Sequence, residues 1–436
     1  MTSASPPSVL IIGGEAAGLA SASHLSRQGC RVTWIDPDSR WTDCFTSSSY
    51  PALSVLGCHR ATQTFLESLV GSTPSTPLSE ASLQFLLSSG RLAHYPRSRF
   101  PNPLHQMLTI GRFAGLARSV RWKLLSWLEQ IWEGALELST DLEHRTALNW
   151  IASLGHGEEA VSTVWAPLAH WLTGNDLQTL SADAFVAVLK PFFLAHSTDS
   201  RVFMLSPSSQ AHLKERAAKA LVDSGTTLLT GVTPVRIDYQ DDRLTGVRLS
   251  DGSTLQADWY VSALSAKQLT PLLPERWLSR YAYFQQITEL STRIWTIFQL
   301  RITQPSTQFR LILGGTGPIP ILTLSPDEFS QGTTVTFAVP GPHDPPDIVE
   351  PLALLLRKTH LSADRLLPQA LSSVRHQGPL ALTPGAKARR PLQRSPIANF
   401  LLAGGWTDTG WPDNLESAIV SAERCARIVA GTPGST

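Results

Sequence analysis

The sequence predicts an α/β protein organised around one parallel nucleotide-binding sheet, and two stretches near opposite ends of the chain carry that prediction. Near the C-terminus, NFLLAGGWTDTGWPDNLESAIVSAERCARIV (Asn399 to Val429) runs through apolar Phe400, Leu401, Leu402 and Ala403, breaks at Gly404-Gly405, and resumes after an aromatic loop as an amphipathic helix. Near the N-terminus, SVLIIGGEAAGLASASHLSRQGCRVTWID repeats that order of strand, tight turn and helix. The residues between them switch from a helical to an alternating pattern, as expected of a chain that leaves the sheet and rejoins it.

Composition sets the outer bounds. A chain of 436 residues with 42% hydrophobic content can bury a large core and should divide into two or three lobes. Its formal charge of +1 gives no reason to expect a nucleic-acid partner, and no window holds the roughly 18 uncharged apolar residues of a membrane span. The cysteines Cys30, Cys44, Cys58 and Cys425 are too few for a disulfide framework and too far apart for a CxxC site, so a reducing, cytoplasmic setting without a metal centre is expected. Met1 to Ser8 carries no cationic segment of an export signal and reads as a disordered tip.

Taken in order, Val9 to Ile12 is a buried strand, Gly13 to Gly18 a turn into a helix carrying Leu19, Ala22 and Leu25, and Arg31 to Ile35 a second strand closed by Asp36. In a dinucleotide turn the first glycine permits the bend, the second lets backbone approach a diphosphate, the third lets the helix pack closely, and an acid about 20 residues on binds ribose hydroxyls. Gly13, Gly18 and Asp36 fill three of these roles, while Glu15 stands at the second glycine position and Gly14 beside it keeps some backbone freedom. A carboxylate there occupies the helix end where a diphosphate would be held. His59 and Arg60 then open a helix with Leu66 and Leu69 inward, either as its solvated start or as groups beside a ligand.

From Thr73 to about Ala195 the chain reads as mostly helical and rich in tryptophan. Ala117 to Leu136 sets Val120, Leu124, Leu125, Trp127, Leu128, Ile131 and Trp132 along an apolar face with Arg118, Arg121 and Lys123 at its start, the pattern either of a helix packed on a core or of one lying in a membrane interface. His156 belongs to a Gly-His-Gly turn, and His170 and Trp171 sit on an apolar helix. Alternating elements follow: a helix at Gln210 to Ser224, strands at Thr226 to Leu229 and Val232 to Tyr239, a hairpin from Leu244 to Ala257 turning at Asp251-Gly252, and a buried strand at Trp259 to Ala263 that returns to the nucleotide-binding sheet. Strands at Arg293 to Ile302, Phe309 to Leu313, Ile319 to Leu324 and Thr333 to Val339 predict an antiparallel sheet, followed by a helix at Ile348 to Lys358.

Four stretches carry a family resemblance: the turn from Gly13 to Asp36, VLGCHRAT (Val55 to Thr62), VWAPLAHW with LSADAF (Val164 to Phe185), and LLAGGWTDTGWPDNLESA (Leu401 to Ala418). With them the chain resembles the flavin amine-oxidase and phytoene-desaturase superfamily, and within it the squalene-associated desaturases, the hydroxysqualene dehydroxylases of hopanoid synthesis. The resemblance implies a Rossmann-like FAD-binding domain of the amine oxidase type, an antiparallel-sheet substrate domain and a helical lobe. The corresponding boundaries are FAD-binding parts at 1–72, 196–265 and 389–436, the helical lobe at 73–195, and the substrate sheet at 266–388. The cofactor it implies is FAD, held by Gly13, Gly14, Glu15, Ala17, Gly18, Asp36, Arg60, Val235, Gly404, Gly405, Trp411, Pro412, Asn414 and Leu415.

The chemistry the resemblance implies is reductive removal of an allylic hydroxyl from hydroxysqualene, giving squalene. Trp406, Trp411, Trp165 and His170 would meet the substrate, and Asp408 would assist departure of the hydroxyl or simply hold the loop by hydrogen bonds. A dry aromatic cavity would shield the cation formed. The implied partners are a lipidic polyisoprenoid, enzymes of the squalene pathway, and the inner membrane surface, touched peripherally through 117–136. The chain departs from the family's pattern at Glu15, at Gly405 where an aspartate is usual, at Ser417 where glycine is usual, at Gly174 where asparagine is usual, and in SSSYPAL (Ser47 to Leu53). Asp413 and Glu416 have the spacing of a capping box. Two alternatives stay open: a carotenoid desaturase or amine oxidase, and a non-catalytic relative with a degenerate cofactor site that binds lipid or a partner enzyme.

Overall fold

The structure, a computed structural model, describes residues 5–39, 41, 54–70, 77–96, 100, 104–132, 141–194, 196–314, 317–327, 332–359, 361 and 371–431, with the side chains of 127–132, 194 and 377 excepted. SSSYPAL and the side chains of Trp127, Leu128, Ile131 and Trp132 therefore lie outside the described residues. Five parallel strands form the first sheet in the order Phe400–Leu402, Trp259–Ser262, Ser8–Ile12, Arg31–Ile35, Thr227–Leu229.

Both faces of this sheet are covered, and the pleat divides its residues between two cores. Val9, Ile11, Leu401 and Ala403 pack with Leu19 and Ala22 of the helix Glu15–Arg27 and with Ile419 and Ala422 of the helix Leu415–Val429. Leu10, Ile12, Phe400 and Leu402 face the opposite way, into the larger core. From the central strand Ser8–Ile12 the chain proceeds to Arg31–Ile35 on one side, while Trp259–Ser262 pairs with it on the other. That divergence is a topological switch point, and the crevice it opens lies beyond the carboxyl ends of the strands.

The second half of the fold is a sheet ordered Ser372–Leu380, Thr292–Ile302, Gly332–Pro340, Ile321–Asp327, Phe309–Gly314, Leu78–Leu86, Val202–Leu205, Ser54–Leu56, with Leu92–His94 paired to Leu78–Leu86. It is antiparallel except where Phe309–Gly314 meets Leu78–Leu86. The four strands expected between 293 and 339 are present with small shifts of their ends.

Two expectations need correction. The segment 73–195 opens with strands, Leu78–Leu86 and Leu92–His94, before its helices begin at Leu104. Ala81, Leu83 and Phe85 recur with period two and are buried, a strand signal masked by the helical content that follows. Within 196–265, Thr227–Leu229 and Trp259–Ser262 do rejoin the parallel sheet, but Pro234–Gln240, Arg243–Leu249 and Thr254–Leu255 form a separate antiparallel sheet. Its outer residues are exposed, which suits antiparallel rather than parallel pairing.

Candidate active site at the ends of the helices

The N-terminal turn keeps the geometry of a dinucleotide turn despite its glutamate. Gly13 has φ +110°, its amide donates to Ile35 O at 2.9 Å, and its carbonyl accepts from Trp34 Nε1 at 2.7 Å. A Cβ on Gly13 would lie 2.7 Å from the backbone of Ala263 and Leu264, and one on Gly18 would lie 2.5 Å from Gly13 O, so close approach excludes any side chain at either position. Between them Glu15 holds φ +59°, the left-handed conformation that a glycine adopts freely and that costs another residue about 1–2 kcal/mol. Its side chain is exposed, whereas Ala17 is buried against the sheet. Asp36 is buried, its Oδ1 2.4 Å from where a Cβ on Gly14 would stand, and its Oδ2 accepts from the Trp41 amide at 2.9 Å.

The loop after Gly404-Gly405 is held from beneath by two guanidinium groups. Arg390 donates to the carbonyls of Trp406 (3.2 Å), Trp411 (2.6 Å), Gly405 (2.8 Å) and Thr407 (2.6 Å), and Arg424 to those of Asp408 (2.9 Å) and Thr409 (3.2 Å). Hydroxyls complete the scaffold: Thr407 meets Ser421 at 2.8 Å, Thr409 meets Ser417 at 2.6 Å, and Ser417 donates to Gly405 O at 2.8 Å. Trp406 is buried and donates from Nε1 to Leu264 O at 3.0 Å, which joins the loop to the strand end beside Gly13. Asp408 is half-buried, and its Oδ1 accepts from the Gly410 amide at 3.3 Å.

At the start of the terminal helix the expected capping box is replaced by a different arrangement. Asn414 caps the helix, accepting from Ser417 N at 2.9 Å, while Glu416 reaches across to the helix Arg60–Val70 and accepts from Ala61 N at 3.0 Å and from Thr62 N and Oγ1 at 2.8 and 2.7 Å. The buried Pro412 and half-buried Leu415 flank this turn. Asp413 accepts from Leu380 N at 3.0 Å, and its Oδ1 lies 2.2 Å from the ideal Cβ position on Gly405. A carboxylate is therefore present where the side chain of residue 405 would otherwise project. Burial is the main cause that raises the Asp413 carboxyl above its usual range, opposed by Arg390 and reinforced by Glu15. Burial likewise raises Glu416, against the hydrogen bonds from Thr62 and Ala61.

The structure brings residues 13–18 and 404–415 together at one crevice, with His59 against Trp411, and places Arg60, Val235, Trp165 and His170 in contacts outside that group. His59 is buried with its ring edge-on to the half-buried Trp411, centroids 5.2 Å apart. Arg60 points outward and pairs with Asp199. Val235 lies on the three-stranded sheet and is half-exposed. Trp165 is buried, donates to His156 Nδ1 at 2.7 Å, and lines an apolar cavity of about 60 Å³ with Phe85, Tyr95, Phe113, Leu189 and Phe193. His170 contacts Asp176 at 2.9 Å and lines a second cavity, of about 200 Å³, with Pro167, Val339 and His343. At Gly174 the backbone is left-handed, φ +70°, and the neighbouring Asn175 bridges Thr173 O, Leu380 O and Leu382 N at 2.7, 3.0 and 3.1 Å. Sequence reading missed Arg390 and Arg424, whose carbonyl partners lie 15 to 21 residues away, and Asn175, whose contacts to Leu380 and Leu382 span over two hundred residues.

Residues 16–430 match the family described as flavin containing amine oxidoreductase. The chain belongs to that family. It is an FAD-dependent oxidoreductase, related to carotenoid desaturases. It is similar to a zeta-carotene desaturase of Synechocystis (25% identical, covering 97% of this chain and 96% of that one) and to a 15-cis-phytoene desaturase of Arabidopsis thaliana (23%, 98% and 80%). Its fold is shared by a putrescine oxidase bound to putrescine (TM-score 0.68, 14% identical, covering 98% and 99%) and a reduced UDP-galactopyranose mutase (TM-score 0.67, 13%, 98% and 96%).

The residues present fit a flavin dinucleotide. The backbone at Glu15 retains the glycine conformation, and Asp413 brings a carboxylate to the side of Gly405. Amides opening the helices Glu15–Arg27 and Leu415–Val429 would hold the anionic parts of the group, with Gly13, Gly14 and Gly404-Gly405 allowing close approach. When bound, FAD supplies hydride transfer.

Two predictions follow from this charge arrangement. Glu15→Gly should bind FAD roughly three- to tenfold more tightly, by removal of one negative charge from a helix N-terminus, as measured by titrating apoprotein with FAD. Asp413→Asn keeps an oxygen for Leu380 N–H and removes a carboxyl whose folded pKa is raised. The wild-type group retains its proton to higher pH when folded, so it lowers stability as pH climbs from the ordinary carboxylate range through the raised value, and by a constant amount above it. The variant should therefore melt at higher temperature at about pH 7 and match the wild type at about pH 3, checked by thermal melts of apoprotein across that range.

Proposed function

We propose that the protein transfers hydride between flavin and a long polyisoprenoid, and that its reaction is the reductive dehydroxylation of hydroxysqualene to squalene. The observation that carries the substrate class is the apolar cavity between the helical lobe and the large sheet. Phe85, Tyr95, Phe113, Trp165 and Phe193 give it aromatic walls, and among the described residues that line it Lys190 alone has an ionisable side chain of the basic or acidic kind. Two π-helical turns, Val161–Trp165 and Lys190–Leu194, contribute Val164, Trp165, Lys190 and Phe193 to that lining. Such turns recur at functional sites, where an inserted residue re-aims the side chains around it. At about 60 Å³ the cavity must widen to admit an isoprenoid chain, and the π-helical turns are the proposed place of that adjustment.

Loss of an allylic hydroxyl demands a wall that excludes water and offers ring faces to positive charge. The aromatic lining and Trp411 serve that need in this reading, and Asp408 assists departure of the hydroxyl. A second reading, desaturation of a carotenoid precursor, is favoured by the desaturases that align along nearly the whole chain. Anaerobic incubation of the reduced, FAD-loaded protein with hydroxysqualene should yield squalene by mass spectrometry. Conjugated product from phytoene with the oxidised protein and a quinone would select desaturation instead, and turnover of neither would reject the polyisoprenoid class.

We further propose that the helical lobe contacts an anionic membrane surface. Among the described residues no helix is long and apolar enough to cross a membrane. Trp122 is 71% exposed on the helix Arg118–Trp132, with Phe100, Leu104 and Met107 also exposed on this lobe. Arg118 and Lys123 are exposed on the same helix, Lys123 also donating to Gly155 O at 3.2 Å, and Arg121 is tied to Gly111 O at 2.6 Å. Reversing Arg118 and Lys123 to glutamate should weaken binding to phosphatidylglycerol vesicles at least tenfold, at roughly 1 kcal/mol per basic residue. Sedimentation with vesicles provides the measurement, and undiminished binding would discard the basic helix as the contact.

A further inference from the structure

We propose that His59 is a ligand-binding residue that donates a hydrogen bond from Nε2 to an uncharged acceptor atom of the bound molecule. His59 is 5% exposed, and its two ring nitrogens have unequal surroundings. Nδ1 accepts from the Leu56 amide at 3.2 Å, which fixes the tautomer and leaves the proton on Nε2. Among the described residues Nε2 is buried without a hydrogen-bond partner. Burial pushes the ring's pKa down to about 3, so it is neutral across the ordinary pH range. Its Nε2–H is thus a fixed, uncharged donor.

His59 immediately precedes the helix Arg60–Val70 and stands edge-on to Trp411, in the loop that leads into the helix Leu415–Val429. Glu416 ties the start of the first helix to the second. A buried donor left unpaired costs about 1–3 kcal/mol, and an indole face recovers little of it. Since Nδ1 turns back to its own backbone, Nε2 lies across the ring from it, on the side away from Leu56. The inference rests on the reading of this crevice as a flavin and substrate site, and it adds the atom that meets the ligand. The acceptor is a carbonyl edge of the flavin ring or the hydroxyl oxygen of an alcohol substrate.

Two substitutions separate the nitrogens. His59→Asn keeps an acceptor near Nδ1 for Leu56 and removes the distal donor, whereas His59→Gln carries an amide donor out to the Nε2 position. The full-length protein is titrated first with FAD and then, once loaded, with hydroxysqualene, following flavin absorbance; thermal melts report folding. With a flavin acceptor, His59→Asn weakens FAD binding about tenfold and shifts the visible band, and His59→Gln restores both. With a substrate acceptor, FAD binding and spectrum are unchanged and hydroxysqualene binding weakens about tenfold in His59→Asn alone. In either case the His59→Asn apoprotein melts no lower than the wild type. If His59→Asn equals the wild type in both titrations, or His59→Gln is the variant that fails, the Leu56 contact is the whole role and the proposal is overturned. A wild type that takes up neither molecule overturns the functional reading and this inference with it.

Discussion

The loop that lines the crevice is shaped by one buried cation. Arg390 gathers the carbonyls of Gly405, Trp406, Thr407 and Trp411, so the polypeptide must curl around the guanidinium with those carbonyls turned inward. Turning the carbonyls toward Arg390 sets the opposite course for the side chains and amides of the same residues. Burial lowers the arginine's pKa, while Asp413 and Asp408 raise it, yet a guanidinium remains charged under all ordinary conditions. Leaving four carbonyls without their donor would cost on the order of 3–5 kcal/mol, the scale of breaking a buried charge network. Trp406, tied to Leu264, and the glycine turn packed on Ala263 and Leu264 inherit their placement from this anchor.

The positions that depart from the family's pattern are compensated in space more than in sequence. Gly405 lacks a carboxylate, and Asp413 extends its own to within 2.2 Å of the missing Cβ. No substitution at 405 could restore the acid without displacing Asp413, so the two arrangements are mutually exclusive. Ser417 fills its place with a hydroxyl that binds Gly405 O and Thr409, adding to the scaffold of the loop. Gly174 ends its helix in a left-handed cap, and the asparagine one residue on makes the buried contacts to Leu380 and Leu382. Glu15 is the exception: its backbone is that of a glycine and its charge is not.

The parallel sheet was legible because a strand buried on both faces and a helix with one apolar face leave different periodicities, and both end segments show them. The larger sheet was legible through the alternating runs between Thr292 and Pro340. The strand Leu78–Leu86 was not, since its period-two signal spans only Ala81, Leu83 and Phe85, and one of its partners, Phe309–Gly314, lies over two hundred residues away. The site was readable at its glycines, whose spacing is local. Arg390 and Asp413 were not readable as neighbours of Gly405, because an arginine after a basic run and an aspartate before a helix each have an ordinary local explanation. Glu416 shows the same limit: its spacing from Asp413 suits a cap on its own helix, while its carboxylate caps another.

The use of the helix ends decides where an anionic ligand can sit. The helix Arg60–Val70 has its first amides taken by Glu416, so its N-terminus is closed by an internal carboxylate. The helix Leu415–Val429 has one amide taken by Asn414, a neutral cap, although Glu416 in its first turn and Asp413 just before it bring negative charge near that end. The helix Glu15–Arg27 begins at Gly14 with no side-chain cap, and its N-terminal amides open toward the crevice at the switch point. A dinucleotide can therefore draw on two helix ends and not on the third. At that closed end the chain instead presents His59, whose neutral Nε2–H suits an uncharged acceptor, so the crevice grades from charge-binding at the glycine turn to neutral hydrogen bonding beside Trp411.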